Sequence, residues 1–122
     1  MAKQVYKSDL PYPFSAAVRT GNLLFVSGQV GICQGKTGQG IEEQTRFTLE
    51  NIRGTLAQAG ATLEDVVKVT VFITDMSLWA KMNEVYREFF PKDPPARSSL
   101  GVNGLAQPGL LVEIECVAEA RT

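Results

Sequence analysis

Arg97, Glu113 and Glu115 are the residues whose types and spacing best suit chemistry. The carboxylates stand two apart in Val112-Glu113-Ile114-Glu115-Cys116. On a strand both would share one face, with Val112, Ile114 and Cys116 on the other. Periodicity alone reads such a pair as the solvated side of a strand. On a face that becomes an interface, each carboxylate would need a partner or a task. Arg97 follows Pro94-Pro95-Ala96 and precedes Ser98 and Ser99. A guanidinium on stiff backbone suits bidentate recognition of a carboxylate, although a surface arginine at a strand start would look the same. Ser27, in Ser27-Gly28-Gln29, adds a hydroxyl at a predicted strand end. With no base beside it, that hydroxyl suits hydrogen bonding better than nucleophilic attack.

The rest of the composition narrows the chemistry. The 122 residues carry 12 Lys+Arg against 13 Asp+Glu, two cysteines and no histidine. Without imidazole there is no Ser-His-Asp or Cys-His system and no His-containing zinc site. A net charge of −1, with no basic run, argues against nucleic-acid binding. Gly35-Lys36-Thr37-Gly38-Gln39-Gly40 superficially resembles a phosphate loop but lacks its spacing. Cys33 and Cys116 form no CxxC and read as free thiols of a reducing compartment; they would pair only if the fold joined them. A reactive Cys33 would need electropositive neighbours, and Lys36 alone stands near it. Met1-Ala2-Lys3-Gln4-Val5-Tyr6 lacks the apolar core of a signal peptide, and no stretch approaches the ~18 apolar residues of a membrane span. The expectation is a cytoplasmic protein with one globular domain over residues 1–122.

These residues must be positioned by a small set of elements. Lys3–Tyr6 reads as a short first strand, followed by a loop punctuated by Pro11 and Pro13. Ala16–Arg19 and Leu23–Val26 read as strands joined by a turn at Thr20-Gly21-Asn22, with Ser27-Gly28-Gln29 ending the second. The glycines of Gly31–Gly40 predict a loop. Ile41, Thr45, Leu49, Ile52, Leu56 and Ala59 form one helical stripe, and Gly60 stands where a left-handed C-cap requires it. Thr62 and Asp65 suit the capping of a single turn.

Val66–Thr74 is a β-branched strand with Val67, Val69, Val71 and Ile73 on one face. A second helix starts at Asp75 or Ser77, buries Leu78, Met82, Val85, Tyr86 and Phe89, and stops before Pro91. Trp79 lies on the same helix. Strands at Ala96–Val102 and Leu110–Ala118 close the chain, joined by Asn103–Gly109.

The order predicts an α+β fold, a mixed β-sheet with two helices packed on one face. Two helices cover only one side of such a sheet. Yet Leu23-Leu24-Phe25-Val26 is apolar on both faces, and Val66 and Phe72 add apolar groups opposite the Val67 stripe. An uncovered apolar face of that size predicts oligomerisation.

Five blocks, in order, resemble the RidA/YjgF family of reactive-intermediate deaminases. They are Asn22-Leu23-Leu24-Phe25-Val26-Ser27-Gly28-Gln29, Val67-Lys68-Val69-Thr70-Val71-Phe72, Asn83-Glu84-Val85-Tyr86-Arg87-Glu88-Phe89-Phe90, Pro95-Ala96-Arg97-Ser98 and Val112-Glu113-Ile114-Glu115. Together they span nearly the whole chain. The resemblance implies a chorismate-mutase-like fold assembled as a homotrimer, with sites between subunits. It implies hydrolysis of enamine and imine intermediates, such as 2-aminoacrylate, 2-iminopropanoate and 2-iminobutanoate, to 2-oxo acids and ammonia. No cofactor or metal is implied.

Carried over by position, Arg97 would clamp the substrate carboxylate and Glu113 would orient the attacking water. Ser27 and Gly28 would line the pocket, Asn83 would support it, and backbone around Ser99 would bond the substrate nitrogen. Two positions depart from the family pattern. Phe14 stands where many members have tyrosine, losing a hydroxyl, and Ser99 stands where many have cysteine. A non-catalytic binder of 2-oxo acids in the same cleft is the alternative that Phe14 keeps open.

Overall fold

The computed structural model describes residues 2–120; the single-domain reading over 1–122 extends beyond them by residues 1, 121 and 122. Eight strands form: β1 (Gln4–Tyr6), β2 (Ala17–Thr20), β3 (Leu23–Val30), β4 (Ile32–Cys33), β5 (Lys36–Thr37), β6 (Val66–Ile73), β7 (Ala96–Gly101) and β8 (Val112–Glu119). The helices are α1 (Gly40–Gln58) and α2 (Trp79–Phe89).

Local chemistry sets the helix ends. Gly60 takes φ +77°, the amide of Ala61 donates to Leu56 O and that of Gly60 to Ala57 O, closing α1 in a Schellman turn. The Thr62 amide donates to Asp65 Oδ2 at 2.9 Å, capping the single turn Leu63–Asp65. Asp75 Oδ1 accepts from the Ser77 amide at 2.9 Å, capping the short turn that leads into α2. Hydrogen bonding from Ser77, its side chain first and then this amide, holds the Asp75 carboxyl below its usual pKa.

The main sheet runs β1-β2-β3-β8-β6-β7, antiparallel except for the parallel pair β6–β7. Both helices lie on one side of it. Leu24, Val26, Val69, Val71, Ile73, Val112, Ile114, Cys116 and Ala118 pack there with Ile41, Leu49, Ile52 and Leu56 of α1 and Met82, Val85, Tyr86 and Phe89 of α2. The opposite side is bare: Leu23, Phe25, Val67 and Leu100 remain between 41% and 48% exposed. The mixed sheet and one-sided helices are as the sequence predicted, and so are the buried helix stripes, except that α2 begins at Trp79 and leaves Leu78, only partly buried, in the turn before it.

Three local readings need correction. Val67 does not join the buried stripe. Val66 pairs with Ala118 and Lys68 with Val117, so β6 carries one extra residue against β8. This bulge restarts the alternation, burying Val66 and turning Val67 to the bare face. Next, β3 does not end at Ser27-Gly28-Gln29. It crosses an irregularity between Val26 and Gln29 and continues to Val30. Finally, the glycine-rich segment is not all loop. Ile32 pairs with Thr37 and Cys33 with Lys36 across a tight turn, with Gln34 and Gly35 at positive φ. Cys33 is exposed there, and Cys116 is a separate free thiol in the core.

This hairpin is tied to α1 by two amide side chains that hydrophobic periodicity overlooks. Asn51 Nδ2 donates to Val30 O and Ile32 O. Gln44, buried, donates from Nε2 to Gly38 O and Gly109 O and accepts from the Leu111 amide at 2.8 Å. Gly31 and Gly38 are required by this junction, because a Cβ at either would press into Gln44, its Cα included. Gln44→Leu strands two carbonyls and one amide without partners. It should cost about 3 kcal/mol, read as a lower urea midpoint at unchanged slope. A loss below ~1 kcal/mol would show that water satisfies those groups.

Candidate functional site

The sequence-predicted residues fall into two groups on opposite sides of the sheet. Glu113 alternates with the core residues Val112 and Ile114, and in register it faces Phe72 on β6 and Val30 on β3. Its carboxylate therefore lies on the bare face. Ser27 and Gly28, between the pairs Val26–Cys116 and Gln29–Ile114, form the β3 irregularity beside it. A Cβ on Gly28 would overlap the Glu113 carboxylate, so glycine is what admits the side chain there. Glu113 is half-buried and accepts no hydrogen bond from a described residue. Burial, and then the neighbouring Glu115 charge, raise its pKa above the usual carboxylate value.

The same region holds the loop before β2. Ser27 Oγ donates to Ser15 O at 2.6 Å and the Ser27 amide to Ala16 O, pinning the segment that carries Phe14. The Phe14 ring stacks on Tyr12 with centroids 6.3 Å apart and remains 47% exposed. Phe14 and Gly28 line one cavity of about 560 Å³, together with Gln29, Asn51 and Gln107. Ser27 and Glu113 are not in its wall. The Ser27 hydroxyl is thus engaged by backbone of its own chain.

Arg97 belongs to the other group. In the parallel register of β6 and β7 it faces Val69, and Ser99 faces Val71. Both valines are core residues, so Arg97 and Ser99 point to the helix side at the sheet edge. The Arg97 Cζ lies 4.6 Å from the Tyr86 ring centroid and 5.8 Å from that of Trp79. Trp79, Asn83 and Tyr86 are four and three residues apart on α2 and share one helix face, so Asn83 joins this group.

Among the described residues the ion pairs are Arg46–Glu88 and Arg53–Glu50; Arg97 has no carboxylate partner. The buried Tyr86 hydroxyl finds no partner at hydrogen-bond geometry. Burial pushes its pKa up to about 12, although the nearby Arg97 charge favours the phenolate. The aromatic setting of Arg97 was missed by the sequence reading, which placed Tyr86 in the core stripe only. The Trp79/Asn83/Tyr86 spacing was the available signal.

Within one chain, then, Arg97, Ser99 and Asn83 are gathered on one side, Glu113 lies on the other with Gly28 and Ser27 in the β3 irregularity beside it, and Phe14 lines the cavity that Gly28 shares with α1. Each group offers what the other lacks: a free guanidinium for an anion, and a free carboxylate for a water molecule.

Comparison with known proteins gives the family of the chain. The model of a family described as Endoribonuclease L-PSP matches residues 8–120. A RutC family protein of Pyrococcus horikoshii is 47% identical over 125 residues, covering 97% of this chain and 98% of the relative. TdcF of Escherichia coli K12, whose name carries the words reactive intermediate deaminase, is 36% identical over 111 residues, covering 87% and 85%. The crystal structure of E. coli TdcF with bound serine superposes with a TM-score of 0.89 at 32% identity, over 98% of this chain and 99% of that one. Blocks, fold and relatives converge: the chain belongs to the family described as Endoribonuclease L-PSP, the RidA/YjgF (RutC) family.

Proposed function

We propose that this chain hydrolyses 2-imino and 2-enamino acids, such as 2-iminopropanoate, 2-iminobutanoate and 2-aminoacrylate, to 2-oxo acids and ammonia. Catalysis takes place in clefts between the subunits of a homotrimer. The observation that carries this reading is that, among the described residues, Arg97 is seated against aromatic rings with no carboxylate partner, and the half-buried Glu113 has no cationic one. A second copy seated on the bare apolar face would cover the side that carries Glu113, and the reading requires that copy's β7 edge to present its Arg97 there.

The chemistry asks little of the protein, because an iminium carbon is already electrophilic. Arg97 holds the substrate carboxylate through two parallel N–H···O bonds. Glu113 orients a water and accepts its proton as the oxygen attacks C2. Glu113 passes that proton to the carbinolamine nitrogen, the C–N bond breaks as ammonia leaves, and the hydroxyl returns a proton to Glu113 as the carbonyl forms. A 2-enamino acid enters this sequence after taking a proton at C3 to become the 2-iminium acid. Asn83 and backbone around Ser99 support and hydrogen-bond the substrate, and Gly28 keeps the carboxylate in place. Phe14 walls the pocket without donating a hydrogen bond. Orientation supplies most of the acceleration.

Ammonia release from imines made in situ by serine and threonine dehydratases tests this. The native protein should accelerate release above buffer, and Arg97→Ala should remove the acceleration. A native protein giving only the buffer rate would refute the proposal.

Phe14 favours a second reading, because its ring has no hydroxyl to offer a substrate. A regulatory binder of 2-oxo acids would then bind pyruvate or 2-oxobutanoate saturably without turnover. An RNA-cleaving reading rests on the family description alone; a chain of net charge −1 with no histidine offers neither a basic footprint nor an imidazole pair.

A further inference from the structure

The Arg97 Cζ lies over two aromatic rings, and among the described residues no carboxylate pairs with it. Tyr86 supplies a buried ring, itself tilted against Phe90 at 4.8 Å between centroids. Trp79 supplies a ring that is 40% exposed at the first turn of α2. Stacking engages the flat face of a guanidinium and leaves the N–H groups at its edge available. A carboxylate partner would have taken those donors. Arg46, by contrast, spends two of its nitrogens on Glu88.

We propose that Trp79 is a positioning residue, whose indole holds the Arg97 guanidinium against Tyr86 with its edge donors presented to the carboxylate of a 2-oxo or 2-imino acid. The assignment rests on the carboxylate-clamp reading of Arg97 given above. Trp79 is the chain's single tryptophan, so its emission also reports directly on this place.

The test has a ligand-free arm and a ligand arm. In the native protein without ligand, the Arg97 Nε–Hε resonance should be displaced by ring currents and well ordered. Trp79→Ala should move it toward the free-arginine position and lower its order parameter, while Trp79→Phe retains most of both. With 2-oxobutanoate, Trp79→Ala should raise the dissociation constant about tenfold. KM for the imine should rise in parallel, kcat should stay within about twofold, and Trp79→Phe should recover most of the loss. Should Trp79→Ala fail to fold, Trp79→Leu fills similar volume without a π-face and carries the same expectations.

An Arg97 resonance indifferent to Trp79→Ala overturns the proposal whatever the turnover. So does a dissociation constant changed less than twofold by that variant while Arg97→Ala abolishes binding. A native protein that neither binds 2-oxobutanoate nor accelerates imine hydrolysis refutes both the clamp reading and the role assigned to Trp79 on it. Turnover that survives while the Trp79 expectations fail leaves the deaminase reading standing and removes Trp79 alone.

Discussion

Subunits carrying Arg97→Ala and subunits carrying Glu113→Gln, unfolded together and refolded as a mixture, should recover turnover that neither variant shows alone. The expectation follows from the sheet. Arg97 shares its face with Val69 and the helices, whereas Glu113 faces away with Phe72 and Val30. One chain therefore cannot bring its guanidinium and its carboxylate to a single small molecule without rebuilding β8 or β7. In a cyclic trimer each site would draw Arg97 from one subunit and Glu113 from its neighbour. Random mixing in equal amounts then leaves about one site in four with both native residues. Roughly a quarter of native activity should return, with mixed trimers visible by native mass spectrometry. Mixed trimers that stay inactive would show that the two residues do not meet across the interface.

The second large effect centres on the Glu113 carboxylate. Glu113→Gln should lower kcat by about 10²–10⁴, the range for a lost general base. Gly28→Ala should lower it by about 10² with the carboxylate still present, because the new methyl displaces it. The atom displaced is the end of a flexible side chain, so stability should change little in that variant.

Proton binding gives an independent signature. Burial and Glu115 raise the Glu113 pKa, so the native rate should fall, on acidification, at a pH above the usual carboxylate range. Glu113→Gln should lack that acid limb. A raised folded-state pKa stabilises the native chain below the unfolded pKa, and that contribution is lost as pH rises through the folded one. At neutral pH the ionised Glu113 is thus unfavourable for folding, and Glu113→Gln should be no less stable than the native protein. A Glu113→Gln variant with native kcat would remove this residue from the mechanism.

Much of the architecture was legible because hydrophobic periodicity answers directly to burial. The α1 stripe from Ile41 to Ala59 and the α2 stripe from Met82 to Phe89 are buried as their spacing requires, while Leu78 lies in the turn before α2 and is only partly buried. Turn and cap chemistry is also local, so Gly60 and Asp75 act where their types suit them. The errors arose where one element depends on another's register. Val67 keeps alternation within its own strand, yet a single extra residue opposite Val117 and Ala118 sends it to the bare face. Gln44 and Asn51 look like ordinary polar helix residues until Gly38, Gly109, Leu111, Val30 and Ile32 bring backbone partners to them.

The site divides along the same line. By itself the sequence determined that histidine chemistry is absent and that one arginine and a strand-borne carboxylate pair are the candidates, since residue type and strand alternation are local properties. It also determined the family blocks. Only the tertiary structure decided that β8 lies between β3 and β6 while β7 takes the outer edge. That strand order puts Arg97 against Trp79 and Tyr86 on one side of the sheet and Glu113 beside Gly28 on the other. Strand order and register are fixed by packing between distant segments, which no local spacing contains.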